Sequence, residues 1–181
     1  MSNYNWNYPN TVWFGNGRIK DLAKACKILN INKPLFVTDK DLVKTKMVEN
    51  ALEINKKANL PTTVFSDLKG NPLGSSVKKG SEIFKNGNHD GVISFGGGSS
   101  LDVGKSIALQ SATNRPLWDF TDEGFFWKEN KFSASMAANR INNPENIKPT
   151  IAIPTTAGTG SETSRAAAII NDETKVKKIV F

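Results

Sequence analysis

Three successive glycines, Gly96-Gly97-Gly98, with Ser99 and Ser100 behind them, join an apolar run to a stretch of helical periodicity. Residues without Cβ let a backbone approach a ligand closely. The free amides and dipole of a helix N-terminus favour an anion, most naturally a phosphate. Position alone leaves two readings open, a phosphate or pyrophosphate site and a simple tight turn. Two nucleotide motifs fail on spacing. A Rossmann fingerprint requires glycine three places after Gly98, where Leu101 stands. A Walker loop encloses four residues before Gly-Lys-Ser, whereas five lie between Gly98 and Gly104-Lys105-Ser106. A phosphotransferase of that type is therefore disfavoured.

A second loop, Pro154-Thr155-Thr156-Ala157-Gly158-Thr159-Gly160-Ser161-Glu162, follows the apolar run Thr150–Pro154. Small hydroxylated residues at a strand's carboxyl end suit a ligand crevice in an open α/β sheet. A helix start capped by Thr159 or Ser161 is the alternative, and the two are compatible. Asp39 ends the run Pro34–Thr38. A carboxylate there accepts hydrogen bonds from an adenosine ribose and repels a 2′-phosphate, or else it caps the next helix.

The elements that would position these groups alternate along the chain. Strand-like runs lie at Thr11–Phe14, Pro34–Thr38, Thr62–Phe65, Gly91–Phe95, Thr150–Pro154, Ala166–Ile170 and Lys178–Phe181. Helical spacing covers Arg18–Leu29, Asp39–Leu60 (with Leu42, Val43, Met47, Ala51 and Leu52 inward), Ser75–Lys85 and Ser99–Ser111. The pattern predicts an α/β fold, a Rossmann-like, mainly parallel sheet flanked by helices with an N-terminal strand segment. Between Arg115 and Lys148 the periodicity breaks into the aromatic run Trp118–Trp127 and a polar stretch from Asn139. That excursion either packs on the domain or contacts a substrate. The last apolar run reads as a strand cut off without a closing turn, so residues 1–181 are expected to form one α/β domain truncated in its last strand.

A chain of 181 residues with 38% hydrophobic and 23% charged residues has the composition of a folded globular domain. The net charge of +7 comes from 24 basic residues scattered without a five-residue block, which argues against nucleic acid. No apolar run approaches membrane-spanning length. The N-terminus lacks the regions of a signal peptide. Cys26 is alone and lies on an apolar stripe, which excludes an internal disulfide and suits core packing in a reducing compartment, with the cytoplasm as the expectation. The single His89 stands in the turn Gly87–Gly91 and reads as an ordinary turn residue.

Taken together, Tyr8-Pro9-Asn10-Thr11-Val12-Trp13-Phe14-Gly15, Gly96 through Lys105 and Pro154 through Glu162 resemble the iron-containing (group III) alcohol dehydrogenase family, over essentially the whole chain. The resemblance implies a dehydroquinate-synthase-like fold, in which an α/β nucleotide domain precedes a helical metal domain. It implies NAD as cofactor in preference to NADP. Iron(II) or another divalent metal would be held by one Asp and three His, none of them within these residues. The implied reaction is hydride transfer between nicotinamide and a small alcohol, aldehyde or ketone. By the same resemblance Asp39 contacts the adenosine ribose, Asn71 lies near the cofactor, and Gly97, Gly98 and Ser99 hold the pyrophosphate. Thr155, Thr156 and Thr159 surround the phosphates and nicotinamide, Asp102 closes the glycine motif, and Lys178 is a cofactor-side lysine. A homodimer is a further expectation. This chain by itself is expected to be inactive for want of metal ligands, and a catalytically silent dinucleotide-binding module is the alternative reading.

Overall fold

In the computed structural model, which describes residues 10–68, 70–126 and 147–181, four apolar runs pair as parallel strands. They are β1 (Pro34–Val37), β2 (Thr63–Phe65), β3 (Gly91–Gly96) and β4 (Thr150–Pro154), in the spatial order β2-β1-β3-β4. Every residue of β1 and β3 is buried, because these central strands are covered on both faces. One face carries Phe36, Ile93 and Phe95 against α1 (Leu22–Ile28) and α2 (Lys46–Lys57), through Leu22, Cys26, Val48 and Ala51. The other carries Leu35, Val37 and Val92 against α3 (Gly74–Asn86) and α4 (Gly98–Ala112), through Val77, Phe84, Val103 and Ile107. The alternation of neighbouring strand residues between the two clusters is the period-2 rule of a pleated strand. Cys26 is fully buried, and burial first, then the Asp90 charge, pushes its thiol up to about 11.

Two further strands, β5 (Ala167–Ile170) and β6 (Lys177–Val180), form an antiparallel hairpin outside the main sheet. The last apolar run is therefore a paired strand, joined to β5 by a turn in which the Asn171 carboxamide accepts the amides of Glu173 and Thr174. Several contacts bind the hairpin to the body, among them those that position the start of α3. Ile170 N donates to the Pro72 carbonyl at 2.8 Å, and Asp172 grips the start of α3 through Ser75 N (2.8 Å) and Ser75 Oγ (2.6 Å).

Three expectations need correction. Thr11–Phe14 forms no strand: among the described residues it has no strand partner for its backbone, and Val12 and Phe14 are 64% and 95% exposed. Trp13 instead lies under the cations of Arg18 and Lys24, with ring centroids 5.0 and 5.9 Å away. The helix expected over Asp39–Leu60 is split. Asp39 turns the chain into a short 3-10 turn at Leu42–Lys44, and extended Thr45 (φ −89°, ψ 154°) restarts it as α2. Thr45 Oγ1 donates back to the Leu42 carbonyl at 2.7 Å, closing that turn before α2 begins. This break rotates the apolar stripe, so Val48 is buried where Met47 was expected and Met47 is exposed. Similarly, Ile28 and Leu29 end the first helical stretch exposed. Trp127, most of the polar stretch from Asn139 and the first nine residues lie outside the described residues.

Candidate functional site

From β1 the chain passes to β2 on one side, then returns with β3 to the other side of β1. Such a reversal leaves a crevice beyond the carboxyl ends of the two central strands, the habitual ligand position in open α/β sheets. Asp39 follows β1 at this edge and the glycine loop follows β3. β4 lies next to β3 in register Gly96↔Pro154, and Thr155 N donates to the Gly96 carbonyl at 2.9 Å. The threonine loop thus leaves the sheet directly beside the glycine loop.

Gly96 has φ +149°, a conformation that side chains avoid, and a Cβ there would meet Ser100 Oγ at 2.6 Å. Gly97 is the N-cap of α4 and carries no side-chain cap, so the first amides of the helix, at Gly98 and Ser99, keep no intrahelical acceptor. A Cβ on Gly97 would stand 3.3 Å from Thr156 Oγ1, and one on Gly98 would stand 3.3 Å from Thr159 Cβ. The two loops therefore face each other across glycines, with threonine side chains against the uncapped helix end. Uncapped amides, the dipole of α4 and a wall of hydroxyls make a cradle for a phosphate.

The threonine loop itself is exposed from Thr155 to Thr159, and its far end is held by α4. Asp102 Oδ1 accepts from Ser161 Oγ at 2.5 Å and Oδ2 accepts from Ala168 N at 3.0 Å. One turn on, Lys105 Nζ lies 3.0 Å from Asp102 Oδ1 and donates to the carbonyls of Ser161 (2.9 Å), Ser164 (3.0 Å) and Ala166. Burial lowers the Lys105 ammonium from its ordinary value, and Asp102 opposes that shift. Lys105 was not among the expected site residues. Its signals in the sequence are its place at the end of the Gly96–Lys105 motif and three residues after Asp102, the spacing of an ion pair on one helix face.

The structure brings most of the expected residues to one edge. Asp39 Oδ1 accepts the amides of Asp41 (2.9 Å) and Leu42 (2.8 Å), so the capping role exists; Oδ2 takes no hydrogen bond among the described residues. Asn71, left-handed at φ 61°, sits on the exposed turn between β2 and α3. Asp102 lies one turn inside α4 with both oxygens engaged by the protein. Lys178 stands apart on β6, paired with Glu123 at 3.5 Å. A cleft of about 1950 Å³ runs from Trp13 over β4 to Thr155, Thr156 and Gly158. It is lined by only one of the two loops.

His89 lies at the turn after α3, as expected, and its side chain is buried there. Its Nδ1 lies 3.0 Å from the Lys33 carbonyl oxygen, which only accepts, so that nitrogen carries the hydrogen. Asp90 is committed to the amides of Asn32 and Lys33, each at 2.8 Å. Among the described residues no three His, Cys, Asp or Glu side chains converge to hold a metal. The two loops offer amides and hydroxyls of the kind that hold a phosphate.

Known proteins resemble this chain over nearly its whole length. The sequence profile of the iron-containing alcohol dehydrogenase family matches residues 9–181. A 1,3-propanediol dehydrogenase of Citrobacter freundii is 31% identical over 174 residues, which are 95% of this chain and 41% of that protein. An NAD-dependent methanol dehydrogenase of Bacillus methanolicus is 32% identical over 177 residues, 98% of this chain and 42% of that protein. Among solved structures, a 1,3-propanediol oxidoreductase superimposes with TM-score 0.82 at 30% identity, covering 98% of this chain and 42% of that one. Sulfoacetaldehyde reductase from Bifidobacterium kashiwanohense in complex with NAD+ superimposes with TM-score 0.80 at 25% identity, covering 99% and 43%. The chain spans about two-fifths of the length of the relatives it matches, 41% of the first of them. With a family match over nearly all its residues, the chain belongs to the iron-containing alcohol dehydrogenase family.

Proposed function

We propose that residues 1–181 are the NAD-binding α/β domain of an iron-type alcohol dehydrogenase that interconverts a small alcohol and its carbonyl compound. The observation that carries this reading is the meeting of the two loops, Gly97 against Thr156 and Gly98 against Thr159, over the uncapped start of α4. Gly97, Gly98 and Ser99 would hold the pyrophosphate with their backbone, and Thr155, Thr156 and Thr159 would line the phosphates and nicotinamide. Asp39 would take the ribose with its unused oxygen and so favour NAD over NADP, with Asn71 beside the adenosine half. Asp102 and Lys105 act by positioning the threonine loop. Lys178 completes the set if the Glu123 pair, exposed on both sides, gives way to the cofactor.

When bound, the nicotinamide supplies the hydride acceptor or donor. The chain's own residues bind and orient it. On this reading residues 1–181 would bind the cofactor without turnover by themselves. NAD-dependent and NAD+-complexed relatives support the cofactor. No helix among the described residues is long and apolar enough to cross a membrane.

Titration of the chain with NADH, followed by nicotinamide fluorescence, tests the reading. One site per chain is expected, weakened about tenfold or more by Gly98→Val, since the added side chain must displace Thr159. Absence of NADH binding, or a Gly98→Val variant that is folded and binds unchanged, would overturn it.

A further inference from the structure

Two cations at the carboxyl ends of β1 and β2 are left unused by the dinucleotide site. Lys40 Nζ lies 2.9 Å from Asp67 Oδ1, and Lys79 Nζ, from α3, lies 3.1 Å from Asp67 Oδ2. The edge that carries them is shared. Val37 pairs with Phe65, and Thr38 N donates to the Phe65 carbonyl at 3.0 Å, so Asp39-Lys40 and Asp67 leave adjacent strands side by side. Asp39 has one oxygen fixed on the amides of Asp41 and Leu42 and one without a hydrogen bond among the described residues. The neighbouring Asp41 is paired with Lys44 at 3.5 Å. Lys40, next in sequence to the ribose-side carboxylate, is thus drawn away toward the end of β2.

In dinucleotide folds a cation close to the ribose carboxylate position is what accommodates a 2′-phosphate. We infer that Asp67 is a second determinant of cofactor choice, holding the Lys40 ammonium at the end of β2 and so withholding it from the 2′-phosphate of NADP. The inference rests on the reading that the ribose sits at Asp39. Hydrogen bonds from Lys40 and then Lys79 keep the Asp67 carboxyl below the usual carboxylate range, so the arrangement holds at neutral pH. The three groups are about half exposed, with side-chain exposures of 52%, 48% and 61%. Exposed pairs are weak and salt-sensitive, which sets the size of the effect.

The test compares NADH and NADPH dissociation constants for the whole chain and for D39G, D39G/D67N, D39G/D67E and D39G/D67N/K40M. D67N on the D39G background is expected to tighten NADPH about three- to fivefold while NADH stays within about twofold. The charge-preserving D67E should show no gain, K40M should abolish it, and about 0.5 M salt should shrink it. An unchanged NADPH affinity in D39G/D67N, or a gain that survives K40M, overturns this inference alone. Failure of the unsubstituted chain to bind NADH overturns both it and the cofactor reading.

Discussion

The two loops that make the candidate site reach the same place by different physics. The glycine loop is shaped from within: Gly96 adopts φ +149°, Gly97 caps α4, and the turn packs directly on Ser100. The threonine loop is exposed along Thr155–Thr159 and is shaped from outside, by Lys105 and Asp102 reaching about sixty residues along the chain to Ser161, Ser164, Ala166 and Ala168. A loop that carries its own conformation needs few partners. A loop held by tethers is as good as the tethers, and the helix that supplies them is the one the glycine loop begins. Both loops are therefore mounted on α4.

Breaking the tether should do the most. Lys105→Met leaves Asp102, mostly buried, without its cation and frees three carbonyls, and a loss of about 3 kcal/mol in urea unfolding is expected. NADH affinity should fall with it; retention of both would mean that the loop holds itself. Gly96→Ala attacks the other loop. It forces a side chain into a left-handed backbone 2.6 Å from Ser100 Oγ and should cost about 2 kcal/mol, read from the same unfolding curves.

Asp172→Ala removes the tertiary cap on Ser75 and should cost about 1 kcal/mol, with the Asn71 turn loosened. The Ser75 hydrogen bonds hold the Asp172 carboxyl below its ordinary 3.8. Its folded value is the lower one, so its contribution is complete above about pH 4 to 5 and is lost as pH falls through the folded value. The gap between wild type and Asp172→Asn should accordingly close in acid; a gap independent of pH would assign the cap to the Ser75 backbone alone. Smallest in stability is Thr156→Val, on an exposed tip, expected within about 0.5 kcal/mol of wild type. Its NADH affinity should nevertheless drop several-fold, separating ligand contact from loop shape; equal affinity would remove Thr156 from the site.

Where the sequence was legible, a local cause governed. Gly91–Gly96 has to be a buried strand because each residue is apolar or small, and the three glycines after it have to turn. The same holds for α3 and α4, in which Val77, Phe84, Leu101, Val103, Ile107 and Ala108 are buried and Ile83 is partly buried. Misreadings arose where two local signals competed. Thr11–Phe14 alternates like a strand but finds no strand partner among the described residues, and Asp39 and Thr45 divide a stretch whose periodicity alone runs on. Lys178 lies on the expected strand, yet its ion pair with Glu123 belongs to the segment where periodicity fails.

By itself the sequence determined the strands β1 to β6, the helices α1, α3 and α4, the glycine turn and the hydroxyl-rich character of the second loop, since each follows from residues a few positions apart. Tertiary structure alone decided that the loops face each other, that Lys105 binds three carbonyls and that Lys40 turns to Asp67. Those contacts join residues tens of positions apart. Their energies depend on distances that only the β2-β1-β3-β4 order of the sheet sets.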